Sequence, residues 1–343
     1  MKNTDVNLSG KLFKKSRGFF PAGFLALALL IPAGCSTETA LQKLLGTSAE
    51  SPVFLGSRAL ENGELEFRFS VPVAVKSAYF DPPAEIELSG EGETIRFRLT
   101  GSYEPGQLVN MDMLVADKRG NTLNVLIPFR TRNNRLPALL LNEIRLNYSK
   151  PKVEYVELKT AGAGNLGALR LFAAYNGGKL PVFEFPPVEV SANEYIVLHM
   201  RDLADEAGHK NETGRNLAES GGTEASSSAR DFWAPGAVKL LQNTDVIYLC
   251  DQDDRVLDAI VLRGTSKSNA NVTQAAAMLF EQDAWQSGDE PLESYAFDST
   301  GHTATRTVNR RPGNDTNSAA DWFIGATSTA TPGAANTAKK YSP

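Results

Sequence analysis

ELEFRF, residues 64–69, alternates without a break: Leu65, Phe67 and Phe69 share one face, and Glu64, Glu66 and Arg68 share the other. A period of two is the mark of a strand with one dry and one wet side. The pattern recurs downstream. EIELS (85–89) pairs Ile86 with Leu88, and TIRFRL (94–99) sets Ile95, Phe97 and Leu99 against Thr94, Arg96 and Arg98. VNMDMLV (109–115) offers Val109, Met111, Met113 and Val115, and NVLIPF (124–129) offers Val125, Ile127 and Phe129. Turn residues separate these runs at Asn62-Gly63, Asp81-Pro82-Pro83, Glu104-Pro105-Gly106 and Gly120-Asn121. Short strands at such spacing predict a β-sandwich over residues 52–135.

Two segments of this region, LEFRFSVPV (65–73) and VADKRGNTLNVLIPFRT (115–131), resemble a bacterial Ig-like module. The resemblance rests on Phe69-Ser70-x-Pro72-Val73 and on Asp117, Gly120 and Asn121 before the last strand. It implies a spacer or binding module on an exported protein. Residues 138–337 read differently. An apolar strand ends in Leu141-Asn142-Glu143-Ile144, followed by Tyr155-Val156-Glu157-Leu158, by Gly167 after Asn165-Leu166, and by ANEYIVLHM (192–200). Next come KLLQNTDVIYLCDQDDRVLDAIVL (239–262) and a closing TPGAAN (331–336). In this order the motifs resemble the lamin-tail domain, which implies a second Ig-like β-sandwich. Ser191-Ala192-Asn193 replaces that family's usual Pro-Gly, and no glycine stands in the turn after Cys250. The fold class expected is therefore all-β, with two sandwiches. Two inserts interrupt the second: residues 202–235, read as a mobile loop, and 264–304. The latter carries a helix at about 272–285, capped by Asn271, with Ala275, Ala276, Met278, Leu279 and Gln282 forming its stripe. A short tail, 338–343, follows.

The N-terminus supplies an address. KLFKKSR (11–17) is basic, and GFFPAGFLALALLI (18–31) is apolar but shorter than the roughly 20 residues of a membrane-spanning helix. Ala33 and Gly34 then precede Cys35, which resembles a bacterial lipobox, although Pro32 stands where that pattern prefers leucine. The resemblance implies a signal peptide of residues 1–34, lipidation of Cys35 and a tether of residues 35–51. Cleavage near Ala33 or Gly34 by a general signal peptidase, or an uncut anchor, are the competing readings. Ser36 supplies no aspartate-type retention signal, so the outer membrane is favoured over the inner. Removing the five bases and one acid of residues 1–34 leaves 30 bases against 39 acids, an excess that argues against nucleic acid or anionic lipid headgroups as the main partner. Arg306, Arg310 and Arg311 are the local exception and read as a solvated basic face.

Candidate chemistry is sparse. Asp251, Asp253, Asp254 and Asp258 invite a calcium reading, but an EF-hand loop would need glycine at Val256 and glutamate at Leu262. A turn with solvated carboxylates is the simpler expectation. Glu143 and Glu157 could form an acid–base pair, or could hold strands by hydrogen bonds, and the second reading is favoured. His199, His209 and His302 fit no metal or nucleophile motif. GAGNLGALR, with Gly162, Gly164 and Gly167, reads as a loop and not as a phosphate cradle. Cys250 shares a face with Val246 and Tyr248 and reads as a buried thiol. Trp322 reads as core, whereas Trp233 and Trp285 lie in the inserts and are the candidate contacts for a glycan or protein partner. Together these readings predict a non-enzymatic, membrane-anchored binding, adhesion or structural module of the cell envelope, with no cofactor. Its partner would be an extracellular or periplasmic protein or glycan. The alternative is an exported metal-dependent hydrolase with a carboxylate site in the second sandwich.

Overall fold

The computed structural model describes residues 51–343 apart from 61–62, 84, 102, 204–207, 287–290 and 314. The expected signal peptide, Cys35 and the expected tether up to residue 50 lie outside the described residues. Among the described residues the fold is all-β, with one helix of substantial length.

Six strands build the first half: β1 (Phe54–Ala59), β2 (Glu64–Asp81), β3 (Ile86–Ser89), β4 (Gly92–Leu99), β5 (Leu108–Asp117) and β6 (Thr122–Arg130). Their order is β3-β4-β2-β5-β6, with β1 also on β2. Every inward position expected from the alternation on β4, β5 and β6 is buried, and Leu65, Phe67 and Phe69 join them in one core. Each such side chain contributes about 1.5–3 kcal/mol by leaving water. The strand opening at Glu64 runs 18 residues, well beyond ELEFRF. Its first part pairs with β1 and β4, its last part from Val73 to Asp81 pairs with β5, and the register shifts between Arg68 and Val73. Pro72, which has no N–H for a ladder, sits in that interval. One strand thus pairs with β1 and β4 at its start and with β5 at its end within a single six-stranded sheet, and Phe80 from its end packs edge-on against Phe97 at 5.9 Å and Phe129 at 6.3 Å. On the wet side, hydrogen bonds from Arg96 and the charge of Arg58 hold the Glu66 carboxyl below its ordinary range. Asp117 closes the last turn by accepting from the amides of Arg119 and Asn121 at 2.8 and 2.9 Å.

The second half comprises β7 (Leu139–Arg145), β8 (Tyr155–Thr160), β9 (Gly164–Asn165), β10 (Arg170–Ala173), β11 (Phe183–Glu184), β12 (Glu189–Val190), β13 (Tyr195–His199), β14 (Arg230–Trp233), β15 (Asp245–Cys250), β16 (Val256–Arg263), β17 (Phe297–Asp298), β18 (Val308–Arg310) and β19 (Trp322–Ile324). One sheet is ordered β14-β13-β8-β7-β18-β19 and the other β11-β10-β15-β16-β17, with a β9–β12 ribbon at the side. Side chains from both sheets, among them Leu141, Val156, Leu171, Ile247, Ile260 and Trp322, share one core. Asn193 and Asp254 adopt left-handed φ values of 63°. They occupy the two turns in which the lamin-tail pattern has glycine, and Asn and Asp are the side chains that tolerate this region best.

Two expectations about the inserts are corrected. Residues 202–235 do not form a loose loop throughout: β14 pairs in parallel with β13. Buried Glu212 accepts from the backbone amides of Glu219, Ser220 and Asp231, and buried Arg230 donates to the carbonyls of Glu212 and Gly214. In the second insert the helix, here α2 (Ala270–Glu281, after the short α1, Ala174–Gly177), starts before the expected position. Its cap is Asn269, whose side chain accepts from Val272 N at 3.0 Å, whereas Asn271 lies within the first turn.

The two halves meet backbone to backbone. A Cβ on Gly167 would stand 1.9 Å from the Pro105 carbonyl oxygen, and one on Gly106 would stand 2.2 Å from the Gly167 carbonyl carbon. A Cβ on Gly164 would meet the Arg135 carbonyl at 2.3 Å. Asn133 fastens the joint by donating to the carbonyls of Asn165 and Gly167 at 2.9 and 2.7 Å, flanked by Arg130–Glu184 and Arg132–Asp253 ion pairs. Gly164 and Gly167 of GAGNLGALR therefore serve close approach, whereas Gly162 faces open space.

Candidate functional site

The two glutamates face each other. Glu143 and Glu157 are register partners on β7 and β8, both fully buried. Glu143 accepts from the Thr307 hydroxyl at 2.5 Å and the Thr331 amide at 2.9 Å. Glu157 accepts from the Asn142 side chain and the Gly333 amide, both at 2.6 Å. Asn336 completes the clasp by donating to the carbonyls of Asn142 and Arg310, each at 2.9 Å. The carboxylates thus hold TPGAAN against the sheet, the structural reading favoured from sequence.

This clasp has a pH signature. Burial pushes Glu157 from 4.5 to about 8, the facing Glu143 adds to the rise, and the bonds from Gly333 and Asn142 oppose it. The folded chain then holds a proton that the unfolded chain releases. This stabilisation is complete below about pH 4.5 and is lost as pH rises through about 8. Asp245, raised to about 7 by burial, acts in the same direction. His302 is held neutral by burial and works in the opposite sense only below its ordinary 6.5. Between pH 6.5 and 8.5 the urea midpoint is accordingly expected to fall by the equivalent of about 2 kcal/mol, at roughly 1.4 kcal/mol per pKa unit. Glu157→Gln should flatten that slope, and an unchanged slope would refute the assignment.

The acidic cluster divides. Asp251 accepts from the amides of Asp253 and Arg255 at 2.8 and 3.0 Å, closing the β15–β16 turn as expected. Asp258 turns inward instead, where Arg310 binds both its oxygens at 2.8 and 2.6 Å. This corrects the reading of Arg310 as part of a solvated face: burying Asp258 requires a fixed cation beside it. Among the described residues no group of three or more His, Cys, Asp or Glu side chains could hold a metal ion.

Trp233 and Trp285 are corrected as well. Both are buried, Trp233 with an imidazole against each ring face and Trp285 inside the core, so neither presents a ring face to an external ligand. The Trp233 indole lies between two imidazoles, with centroids 3.8 Å from His199 and 3.6 Å from His209, and donates to Ser220 Oγ at 2.8 Å. His199 in turn hydrogen-bonds Asp231 at 2.8 Å. Trp285 donates to the Tyr295 carbonyl at 3.2 Å and packs in the core, where the insert needs an anchor. Trp322 is core, as expected.

What remains open is a groove of about 560 Å³ on the outer face of the β10–β15 pair. Phe172 and Tyr248 are cross-strand partners whose rings stack at 4.7 Å and 3°, and with Cys250 they form its floor. One wall is a helical stripe of α2 (Asn271, Gln274, Ala275, Met278 and Gln282), and the other is Gly178, Lys179 and Pro181. Arg170 and Asp254, an ion pair at 2.9 Å, line the groove as well. The volume lies in the range of small-ligand sites, and the lining has their usual make-up of apolar surface with a few polar groups. Burial pushes the Cys250 thiol up to about 12, which makes it a wall and not a nucleophile. From sequence, Tyr248 and Cys250 share a strand face and Ala275, Met278 and Gln282 share a helix stripe, whereas Asn271 is read as the cap and Gln274 lies outside the stripe. Phe172, Arg170 and Lys179 were missed, because RLFA is too short for a periodicity signal and its partner strand lies some 75 residues away.

A family described as TP_1001_2nd, protein second domain, matches residues 137–324. An uncharacterized protein of Treponema pallidum (strain Nichols) is 27% identical over 233 residues, or 64% of this chain and 58% of the relative. The chain therefore spans little more than half the length of that relative. A DUF4876 family protein from Bacteroides thetaiotaomicron VPI-5482, solved by crystallography, aligns over 78% of this chain and 88% of its own at 11% identity, with a TM-score of 0.27.

Proposed function

The chain belongs to the TP_1001_2nd family through residues 137–324, and from that premise we propose that it is a lipid-anchored, non-enzymatic binding module of the cell envelope. Its lamin-tail-like half offers the binding groove, and its Ig-like half is a spacer joined stiffly to it. The observation that carries the binding role is the groove over Phe172 and Tyr248. The residues best suited to acid–base work, Glu143 and Glu157, are engaged in holding the C-terminal segment. Attachment rests on Cys35 and its short apolar leader; two or three acyl chains make such anchoring durable where one is marginal.

Two measurements test this. Palmitate fed to producing cells should label the wild type and not Cys35→Ala, and a labelled variant would remove the anchor. For the groove, the chain from Ser36 onward keeps the whole compact unit of residues 50–343. It should bind the neutral apolar fluorophore N-phenyl-1-naphthylamine. Met278→Asp, with its helix signal retained, should lose at least tenfold in affinity, because a short carboxylate in the apolar wall cannot reach water. Absence of binding, or equal binding by the variant, would overturn the groove reading.

A further inference from the structure

The lining of the groove is not uniform, and the asymmetry specifies a ligand. On the floor Arg170 is neutralised: Asp254 Oδ1 lies 2.9 Å from its Nη2, and the same nitrogen donates to the Asp251 carbonyl. Gln282 is spent in the same region, accepting from Val256 N at 2.9 Å and donating to the Asp254 carbonyl at 3.3 Å. In the middle, Phe172, Tyr248, Ala275, Met278 and Pro181 offer apolar surface, apart from the Tyr248 hydroxyl. At the far end the polar groups are uncommitted. Asn271 and Gln274 are exposed, each with an amide that hydrogen-bonds no described residue. Lys179 is exposed and enters no ion pair among the described residues. Asn271 is brought to that end by Gly178, whose Cβ position lies 3.5 Å from Asn271 Nδ2 and whose φ of +59° turns the chain there. Lys179 is the next residue.

Resting on the groove reading above, we propose that this site takes an elongated apolar molecule with a single anionic end, the chemistry of a medium-chain carboxylate. The anion is held by Lys179 with Asn271 and Gln274, and the chain lies over Phe172 and Tyr248 towards the Arg170–Asp254 pair. The charge count sets the valence: one uncompensated cation matches a monoanion, and a dianion would leave a charge unmatched. The length follows from α2, since the eleven steps from Asn271 to Gln282 at a rise of about 1.5 Å each give a wall of about 16 Å. The closed Arg170–Asp254 pair makes the far end indifferent to a second charge, so a terminal methyl suits it.

The test displaces N-phenyl-1-naphthylamine from the chain starting at Ser36, using decanoate, decanol and decanedioate below their aggregation concentrations. Decanoate should displace the fluorophore about two- to fivefold better than decanol, the size of one partly exposed charge contact. Decanedioate should be weaker than decanoate. Lys179→Gln should abolish the preference for decanoate over decanol without changing the affinity for the neutral fluorophore. Lys179 is exposed, so the fold is not at risk in this variant. If the fluorophore binds but decanoate and decanol compete equally, or if Lys179→Gln leaves the preference intact, the anionic ligand is overturned and the groove reading stands. If the fluorophore does not bind at all, both fall.

Discussion

Arg310→Met is expected to cost about 3–5 kcal/mol of stability, the penalty for removing one member of a buried ion pair. Arg310 extends from β18 in one sheet and binds both oxygens of Asp258 on β16 in the other. Its Nε donates to the Leu141 carbonyl at 2.6 Å, its Nη1 to Asp315 at 2.9 Å, and its guanidinium lies 4.5 Å from the Trp322 ring centroid. Asp258 also accepts from the Leu141 amide at 2.6 Å. A methionine of similar length fills the space but leaves a carboxylate buried without a counter-charge. Adding Asp258→Asn removes that charge while keeping an acceptor for Leu141, so the double variant should regain a substantial part of the loss. Urea unfolding of the two singles and the double closes the cycle. A single variant within about 1 kcal/mol of wild type would show that the pair does not join the sheets.

Gly167→Ala should uncouple the two halves of the chain. The added methyl would meet the Pro105 carbonyl oxygen at 1.9 Å, and because that atom is backbone no side-chain rotation relieves it. Overpacking of an ordinary core costs about 1–3 kcal/mol. Here the cheapest relief is for the segment around Pro105 to move off the 165–168 loop. That movement strains the Asn133 bonds to the carbonyls of Asn165 and Gly167. Calorimetry should then resolve two transitions in place of one, and proteolysis between Thr131 and Ala138 should accelerate. Gly106→Ala should do the same more severely, since Gly106 also holds a φ of +71°. A single unshifted transition in Gly167→Ala would contradict a stiff joint.

The candidate groove was only half visible before folding. Tyr248 and Cys250 alternate on a clear strand, and Ala275 and Met278 sit at helical spacing, so each face could be assigned. Nothing local indicated that Phe172 would stack on Tyr248, or that Lys179 would stand opposite Gln274. Trp233 and Trp285 misled for a related reason: residence in an insert suggested exposure, yet an insert of this size needs buried anchors of its own. Arg310 looked solvated because its counter-charge, Asp258, lies 52 residues earlier.

By itself the sequence determined the inward faces of β4, β5, β6 and the start of β2, since a period of two is a local property that burial of one face enforces; it did not reveal β1 or the extension of β2 to Asp81, and Leu88, expected inward on β3, is exposed. It also determined that Asp117 and Asp251 close turns, because an Asx turn spans only neighbouring residues. The tertiary structure alone decided that one 18-residue strand would pair with β1 and β4 at its start and with β5 at its end. It also decided which carboxylates are buried, why Gly164 and Gly167 carry no side chain, and where an open groove remains. Each of these depends on atoms brought together from distant parts of the chain, and whether a charge is solvated or paired is set by that neighbourhood rather than by residue type.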